Sequence, residues 1–337
     1  MILSESVLPL PRPILQILEK FWRWGVVQKR RKDGRRIRSG EWPLKLPVPV
    51  ISVGNITVGG TGKTPTVIAL ARAWQQQGGH PGILSRGYRS GPDGNDEYRM
   101  LKEALPLVPH VQHKDRFHAG KLLLLNHPET DLILLDDGFQ HRRLYRDLNL
   151  LLCDASDPFG GGYCLPLGRL REPVDAVKRA GHILLTRAER CRADWLDQVS
   201  AYFRQNHPDI PVSRCATTAT GLETLDGDHV SNPDVGHWLA FSAIGDPSGF
   251  RHTLEKFGLK VAKEVRYRDH HHFSALDMSR LASTANKSDC TGLVCTAKDA
   301  VKVRELELPA EVRQRIHVLG IDLDLPAETI LRGFNRD

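Results

Sequence analysis

Short runs of aliphatic residues alternate with amphipathic stretches along most of the chain. The runs of the first series occupy residues 48–53, 82–85, 132–135, 148–153 and 182–186. A second series begins near Trp238. Continuous aliphatic runs are typical of parallel strands that are buried on both faces and connected by helices. The pattern therefore predicts an α/β fold, with a first domain built on a mostly parallel sheet covered on both faces and a second α/β domain after it.

The composition changes between the two series. Residues 211–230 are rich in Thr, Gly and Asp with short alternation, which predicts a short β linker in the form of a hairpin. The helices predicted beside the strands include 66–77 and 117–125 in the first domain, and 276–286 and 306–315 in the second. The predicted divisions are a terminal segment 1–40, a first domain 41–210, the linker 211–232 and a smaller second domain 233–337.

The terminal segment 1–40 combines a helical apolar pattern with an excess of positive charge. It holds ten basic and three acidic side chains, which account for the whole net charge of +7. The apolar residues at helical spacing are Ile14, Ile17, Leu18, Phe21 and Trp22. This combination is typical of a helix that lies in a membrane interface. A helix packed on the protein's own core and a nucleic-acid arm are the alternatives, and the balanced charge of the remaining chain argues against nucleic acid.

Cysteine usage and hydropathy indicate the compartment. The six cysteines are scattered and form no Cys-x-x-Cys pair, which favours reduced thiols in the cytoplasm. No apolar run approaches the ~20 residues that are needed to cross a bilayer. Pro11 and Pro13 interrupt the start of the chain in a way that is unlike a signal peptide. We therefore expect a cytoplasmic protein without a transmembrane span.

A glycine-rich loop follows the first aliphatic run and precedes a predicted helix. Strand, glycine loop, Lys-Thr and helix is the order of a phosphate-binding P-loop, in which backbone N–H groups and the helix N-terminus surround phosphate oxygens. Thr57 stands where the usual motif has glycine, so we expect Gly59 and Gly60 to supply the flexibility. Lys63 supplies a charge and is counted among the catalytic residues. The predicted nucleotide-binding residues are Thr57, Val58, Gly59, Gly60, Thr61, Gly62, Lys63 and Thr64.

Residues 131–138 are similar to a Walker B strand, because four aliphatic residues end in the paired carboxylates Asp136 and Asp137. One acidic group at such a strand end reaches the Mg²⁺ of the bound nucleotide, and Thr64 supplies a hydroxyl ligand. A carboxylate pair can also combine one metal ligand with one helix cap or ion-pair partner. The sequence leaves open which of the two carboxylates holds the metal.

Several blocks together carry a family resemblance. They are GNITVGGTGKTP (54–65), LSRGY (84–88), DR (115–116), DDGFQHRRLYRD (136–147), LPLGRLREP (165–173), GDP (245–247), RDHHHF (268–273) and TAKDAVK (296–302). With these blocks the chain resembles the tetraacyldisaccharide 4'-kinases, the lipid A kinases of Gram-negative bacteria. Tyr98 follows Asp96-Glu97 where the family pattern has proline.

The resemblance implies transfer of the ATP γ-phosphate to the 4'-hydroxyl of tetraacyldisaccharide 1-phosphate, with Mg²⁺ bound. It further implies two α/β/α sandwich domains, the first of them P-loop NTPase-like, with the active site in the cleft between them. The protein would occupy a peripheral position on the cytoplasmic face of the inner membrane. Partners are then the lipid substrate and the membrane, and no nucleic acid.

A sugar hydroxyl is a weak nucleophile, so a positioned base must take its proton. The resemblance implies that Asp115 is this base and that His270 is its partner. In the sequence alone, Asp115-Arg116 is as typical of a helix N-cap with a surface charge. Arg171 can neutralise charge on the transferring phosphate or form an ion pair with Glu172 or another neighbour.

Other residues of the same blocks are candidates for contacts to substrate. They are Gln140, His141 and Glu172. Three adjacent histidines, 270–272, raise the question of zinc, but successive side chains on a strand point to opposite faces and cannot share one ion. Which of the three is functional is left open. Lys298-Asp299 differs by one position from the guanine-reading motif of GTPases, so GTP specificity is not expected.

The sequence therefore predicts an ATP- and Mg²⁺-dependent lipid kinase. One alternative is a P-loop kinase or NTPase that acts on a soluble substrate. Another is a nucleotide-gated binding protein on a membrane surface, in which Asp115 would have no catalytic role.

Overall fold

The computed structural model describes residues 8–87, 95–230 and 236–334. Tyr88 of the LSRGY block and residues 231–232 of the predicted linker lie outside the described residues. The helices are α1 (Arg12–Arg38), α2 (Lys63–Gln76), α3 (Asp96–Ala104), α4 (Arg116–Asn126), α5 (Ala193–Asn206), α6 (Pro247–Lys256), α7 (Ala275–Lys287), α8 (Ala297–Val303), α9 (Ala310–Arg313) and α10 (Ala327–Leu331).

The strands fall into two sheets. They are β1 (Val50–Gly54), β2 (Pro81–Ser85), β3 (His110–Gln112), β4 (Leu132–Asp136), β5 (Leu148–Asp154), β6 (His182–Thr186), β7 (Val212–Arg214), β8 (Ala216–Thr224), β9 (His229–Val230), β10 (His237–Ser242), β11 (Lys260–Arg266), β12 (Cys290–Thr296) and β13 (Ile316–Asp324). Among the described residues the first sheet has the order β3-β2-β4-β1-β5-β6-β7 and the second the order β11-β10-β12-β13-β8-β9.

The chain forms two compact units, one around each sheet. Described residues 8–87, 105–216 and 325–334 belong to the first unit, and residues 95–104, 217–230 and 236–324 belong to the second. The helix α3 therefore packs with the second unit, although it lies in the chain between β2 and β3 of the first sheet. The α/β class and the two-sheet architecture are confirmed, whereas the domain limits at 40, 210 and 232 stay predictions.

The first sheet is parallel throughout its described pairings. Every residue of β1, β2, β4 and β6 is buried, as the continuous aliphatic runs predict for a sheet covered on both faces. Val53 of β1 lies beside Asp136 of β4 in register. The carboxyl ends of these strands therefore bring the loop after β1 and the paired carboxylates to the same edge of the sheet.

The second sheet combines parallel and antiparallel pairs. Strand β10 pairs in parallel with β11 and β12, and β12 pairs in parallel with β13. Strands β8 and β9 form an antiparallel hairpin through Leu222 and Val230. The predicted hairpin is thus part of the second sheet, since β8 is a member of it.

One predicted helix of the second unit is wrong. Residues 306–315 contain only the four-residue helix α9, which begins after Pro309. The regular helix nearby is α8, whose first turn is capped by the Thr296 hydroxyl. Leu306 and Leu308 pack against the core of the second unit from an irregular segment, so their apolar spacing reflects packing and not helical periodicity.

The helix α1 packs on the first unit along one side and exposes apolar residues on another. Leu15 is buried, Arg30 forms a two-point ion pair with Asp175 at 2.8 and 3.0 Å, and the Trp22 indole N–H donates to the Arg171 carbonyl at 3.1 Å. Phe21 and Trp24 remain 68% and 65% exposed. None of the helices in the described part of the chain is long and apolar enough to cross a bilayer.

Candidate active site

The loop between β1 and α2 has the backbone of an anion-binding turn. Gly59 and Gly62 adopt positive φ, at 108° and 83°, whereas Gly60 does not. The expectation for Gly59 therefore holds, and Gly62 takes the part expected of Gly60. Gly62 is the N-cap of α2 and has no side chain to cap the first turn, so the first N–H groups of the helix remain for a ligand.

Neighbouring segments support this loop. Thr57 is buried and forms an antiparallel bridge with Leu170, while the Val58 N–H donates to the Arg169 carbonyl at 2.7 Å. The Thr61 hydroxyl accepts from the Asn55 amide at 2.8 Å. Thr57, at the position where the usual motif has glycine, thus holds the loop to the 164–170 segment.

Lys63 and Arg171 both contact Asp137. Lys63 Nζ lies 3.7 Å from Asp137 Oδ1, and Arg171 Nη1 donates to both carboxylate oxygens at 3.1 Å. Partial burial opposes ionisation of Asp137, but the charges of Lys63 and Arg171 hold its pKa below the usual value. Of the two roles considered for Arg171, the structure therefore contains the ion pair, and its partner is Asp137.

Three oxygen donors predicted for a metal lie at the ends of adjacent elements. Thr64 is the second residue of α2, and Asp136 is the last residue of β4, next to β1 in register. Asp137 follows with a φ of 49°, which turns the chain away from the strand direction. Hydroxyl and carboxylate oxygens are the hard ligands that Mg²⁺ prefers, so this donor set fits that ion.

Asp115 caps α4 and holds an arginine at the same time. Its Oδ1 accepts from the backbone amides of Phe117 and His118 at 3.2 and 3.3 Å, and its Oδ2 accepts from Arg143 Nη1 at 2.5 Å. The N-cap alternative is therefore correct in geometry. It does not oppose the catalytic prediction, because the side chain remains a carboxylate held in a fixed orientation.

The candidate substrate residues have different surroundings. Gln140 donates to the Asn55 carbonyl at 2.8 Å, which attaches it to the loop after β1. Burial and the charges of Arg116 and Arg146 lower the pKa of His141 to about 4, so this imidazole is neutral at pH 7. Glu172 is 6% exposed and accepts from Arg179 at 2.8 Å.

The three adjacent histidines belong to the second unit and follow β11, which ends at Arg266. The strand geometry assumed for them is therefore wrong, because they lie in the loop between β11 and α7. His270 Nδ1 lies 3.1 Å from Asp96 Oδ2. His271 stacks on Tyr267 and contacts Asp277 at 3.4 Å. The first two histidines thus have separate partners.

Two arginines beside the phosphate loop were missed from the sequence. Arg169 donates to the Val58 carbonyl at 3.1 Å, and Arg187 contacts the Gly60 carbonyl and the Asp154 carboxylate. Neither lies in the loop motif. A signal existed for Arg187, because it directly follows β6 at the edge where the parallel strands end.

The roles of the site residues stay predictions, but their placement is clear. The first unit brings together the loop 57–64, Asp136, Asp137 and Arg171 around the end of β1. Asp115 is the N-cap of α4 in the same unit, and His270 lies in the second unit. The predicted partnership of Asp115 with His270 joins residues of different units and stays a prediction.

Comparisons with known proteins agree with this geometry. The family model for tetraacyldisaccharide-1-P 4'-kinase matches residues 12–334. The chain is 34% identical to a tetraacyldisaccharide 4'-kinase of Syntrophus aciditrophicus over 88% of this chain and 86% of the relative. It is 36% identical to one of Pelobacter propionicus over 93% and 89%.

A solved structure is similar over nearly the full length. It is LpxK from Aquifex aeolicus in complex with ATP, with a TM-score of 0.69 and 28% identity, covering 96% of this chain and 98% of that chain. The resemblance that the sequence blocks indicated is confirmed. By sequence blocks, family model and fold, the chain belongs to the tetraacyldisaccharide-1-P 4'-kinase family.

Proposed function

We propose that this chain transfers the γ-phosphate of ATP to the 4'-hydroxyl of a tetraacyldisaccharide 1-phosphate, which yields the bis-phosphorylated lipid A precursor. The observation that carries the proposal is the family match over residues 12–334. The loop after β1 supports it, because its positive-φ glycines and the open first turn of α2 suit a chain of phosphates.

Phosphoryl transfer depends on positioning and on neutralising charge. The amides of residues 59–62 bind the phosphate oxygens, and Lys63 adds a positive charge beside them. In the described state Lys63 and Arg171 both pair with Asp137. Each cation is therefore held at the site before substrate arrives, and each can exchange part of this contact for a phosphate oxygen.

Thr64 with Asp136 or Asp137 would hold Mg²⁺. The ion would supply positive charge that neutralises charge on the transferring phosphoryl group. The two carboxylates differ in their contacts. Asp136 is buried at the end of β4, whereas Asp137 already pairs with Lys63 and Arg171.

Asp115 accepts the proton of the sugar hydroxyl in this proposal. Its hydrogen bonds to α4 and to Arg143 fix the orientation of the side chain. His270 assists as an orienting or proton-accepting partner. Gln140, His141 and Glu172 are proposed to contact the substrate or to position the residues that do. Glu172 would do so indirectly, because its buried ion pair with Arg179 holds the segment that follows Arg171.

The lipid substrate requires access to a membrane. The exposed face of α1 carries Phe21 and Trp24, and basic residues follow on the same helix. Apolar side chains that enter the interface and basic side chains that meet anionic headgroups both favour binding. We place the protein on the cytoplasmic side of the inner membrane as a peripheral enzyme, with the lipid and not a nucleic acid as partner.

The test is transfer of radiolabelled γ-phosphate to purified tetraacyldisaccharide 1-phosphate. Label should appear in the lipid in an ATP- and Mg²⁺-dependent manner, and Lys63→Ala should abolish it. Hydrolysis of ATP without lipid phosphorylation would favour the alternative of a soluble substrate. If Asp115→Ala phosphorylated the lipid at the wild-type rate, Asp115 would not be the base, and the assignment of kinase activity would still stand.

A further inference from the structure

Arg187 holds one peptide of the phosphate loop, residues 57–64. Its Nη2 donates to the Gly60 carbonyl, although the two residues are 127 positions apart in sequence. In a trans peptide the C=O of one residue and the N–H of the next point in opposite directions. The contact therefore turns the Thr61 N–H away from Arg187.

The N–H of Thr61 is a donor in a buried residue. Thr61 is 1% exposed, and its hydroxyl accepts from the Asn55 amide at 2.8 Å. Among the residues that the structure describes, no protein atom accepts from its N–H. Because buried N–H groups are paired in the great majority of cases, this donor is available to a ligand at this point of the loop.

Asp154 fixes the other arm of the guanidinium. Arg187 Nη1 donates to Asp154 Oδ2, and Asp154 Oδ1 accepts from the amide and the hydroxyl of Ser156 at 3.0 and 2.6 Å. Burial opposes ionisation of Asp154, but the Arg187 charge and the Ser156 hydrogen bonds keep its pKa below the usual value. The Asp154 side chain is 9% exposed. Movement of Arg187 away from the loop would therefore leave a buried carboxylate without its counter-charge.

The end of the first sheet sets the backbone of this ion pair. Asp154 ends β5 and lies in register beside Thr186, the last residue of β6. Arg187 follows with a φ of 60°, in the left-handed region that non-glycine residues seldom adopt. Uncommon backbone conformations of this kind cluster at functional sites. The two adjacent strands thus present both members of the pair to the loop.

Arg169 makes a similar contact with the preceding part of the loop. Its Nη2 donates to the Val58 carbonyl at 3.1 Å, which turns the Gly59 N–H away from it. A Cβ at Gly59 would lie 2.7 Å from Arg169 Nη2, so a side chain there would displace the guanidinium. Alternate peptides of the loop are therefore each held by an arginine.

We infer that Arg187 is a positioning residue for the nucleotide, which holds the Gly60 carbonyl away from the phosphates and so directs the Thr61 N–H at them. The inference deepens the proposed function and rests on it only for ATP as the bound molecule. A Gly60 carbonyl that turned the other way would place its negative end beside the phosphate oxygens. It would also remove one donor from the set of N–H groups that forms the anion site.

The experiment measures ATP binding to the full-length protein by isothermal titration calorimetry, in the absence of lipid. Arg187→Met nearly keeps the length of the side chain and removes its donors, so the Gly60 peptide is free to turn. The affinity for ATP should fall about 10- to 100-fold, the range for a lost hydrogen bond to a charged group. In the phosphorylation assay the KM for ATP should rise by the same factor, while the KM for the lipid is unchanged.

Asp154→Asn separates orientation from charge. Asparagine has one acceptor oxygen, which cannot serve Ser156 and Arg187 at once, so the guanidinium loses its anchor and keeps its charge. Under the positioning role the affinity for ATP falls, by about 3- to 10-fold. Under simple attraction between Arg187 and the phosphates the affinity rises instead, because no carboxylate then neutralises the arginine.

Arg192→Met is the matched control. Arg192 lies in the same segment after β6, pairs with Asp194 at 3.0 Å and has an 87% exposed side chain. This variant should keep the wild-type affinity for ATP. If a single variant does not fold because its buried partner lacks a counter-charge, the double variant Arg187→Met/Asp154→Asn replaces it. The double variant leaves the net charge unchanged and should bind ATP as weakly as Arg187→Met is expected to.

The outcomes separate this inference from the proposed function. A lower unfolding temperature of Arg187→Met with unchanged ATP affinity would mean a role in stability alone and would overturn the inference. Tighter ATP binding by Asp154→Asn would also overturn it, in favour of charge. If the wild type binds ATP and phosphorylates no lipid, the proposed function fails, and the affinities still decide the role of Arg187.

Discussion

Arg143 Nη1 donates a hydrogen bond of 2.5 Å to Asp115 Oδ2, while Asp115 Oδ1 caps α4. The two carboxylate oxygens of Asp115, the predicted base, thus make separate contacts. Substitutions that keep or remove the cap therefore distinguish catalysis from stability.

Asp115→Asn should retain the cap and lose the base. Asparagine caps helices as well as aspartate but cannot also accept from Arg143, so only the ion-pair contribution to stability should be lost while kcat falls between about 10² and 10⁴-fold. Asp115→Ala should lose the same activity and a further ~1 kcal/mol of unfolding free energy. ATP binding by calorimetry should remain in both. Equal stability of the two variants would contradict the capping role. Full activity of Asp115→Asn would contradict the catalytic role.

Gly62→Ala should weaken ATP binding through the backbone alone. Gly62 has a φ of 83° and an added Cβ would meet no atom within 4 Å, so the substitution costs about 1–2 kcal/mol of strain without a clash. Relief of that strain moves the amides at the start of α2, and affinity for ATP should fall about tenfold or more. Isothermal titration calorimetry measures it.

Gly78→Ala is the control for this substitution. Gly78 lies just beyond the other end of α2 with a φ of 80° and the same open space. It should lose a similar amount of stability and keep wild-type ATP affinity. Equal ATP affinities in the two variants would show that the turn at Gly62 has no special part in binding.

His110 should make the protein less stable in mild acid. Burial lowers its pKa to about 4, and its Nε2 lies 2.8 Å from the Ser85 hydroxyl. Because this value lies below the ~6.5 of an unfolded histidine, the unfolded chain binds more protons between about pH 6.5 and pH 4. The free energy of unfolding therefore falls as pH falls through this window, by at most about 3 kcal/mol from this group.

Chemical denaturation of the wild type and of His110→Gln across this window measures the effect. The difference between the two proteins should change in favour of the variant as the pH is lowered from 6.5 to 4. Parallel stability curves would exclude His110 as a contributor.

The double variant Phe21→Ser/Trp24→Ser should lose membrane binding and keep its fold. Both side chains are largely exposed on α1, and burying an aromatic side chain in the interface contributes roughly 1.5–3 kcal/mol each. Sedimentation with vesicles that contain an anionic phospholipid should fall at least about tenfold. Binding by the wild type should also weaken at 1 M salt, where the Debye length is about 3 Å.

Leu125→Ser is the matched control, because Leu125 is 76% exposed on α4 of the same unit. It should sediment like the wild type. Deleting residues 1–40 is a poorer test, since α1 also contacts Arg171 and Asp175. Equal sedimentation of both variants would move the membrane contact to another surface.

Strands β1, β2, β4 and β6 could be predicted because each of their residues is buried, which leaves a run of mostly aliphatic residues in each strand. The loop 57–64 and the pair Asp136-Asp137 could be predicted because the motif places its chemistry within a few residues of a strand end. The helix α8 was missed, and 306–315 was misassigned, because leucines that pack on a core from an irregular segment mimic helical spacing.

The contacts that complete the site could not be predicted from the sequence, for a different reason. The pair Asp96–His270 joins positions 174 apart, and Arg187 reaches the Gly60 carbonyl only after the sheet has formed. No local period or spacing encodes such pairs. They follow from which elements the fold places together, and the insertion of α3 into the second unit had no signal in composition.

The hydrogen bond from Trp22 to the Arg171 carbonyl gives α1 a second consequence. If Phe21 and Trp24 enter a bilayer, the distance of Arg171 from the membrane surface is set by the width of one helix, about 10 Å. A flexible linker would not fix this distance. The helix would then act as a spacer of fixed height between the lipid plane and the arginine. A substrate whose sugar hydroxyl stood much higher or lower than that spacing would be presented out of reach.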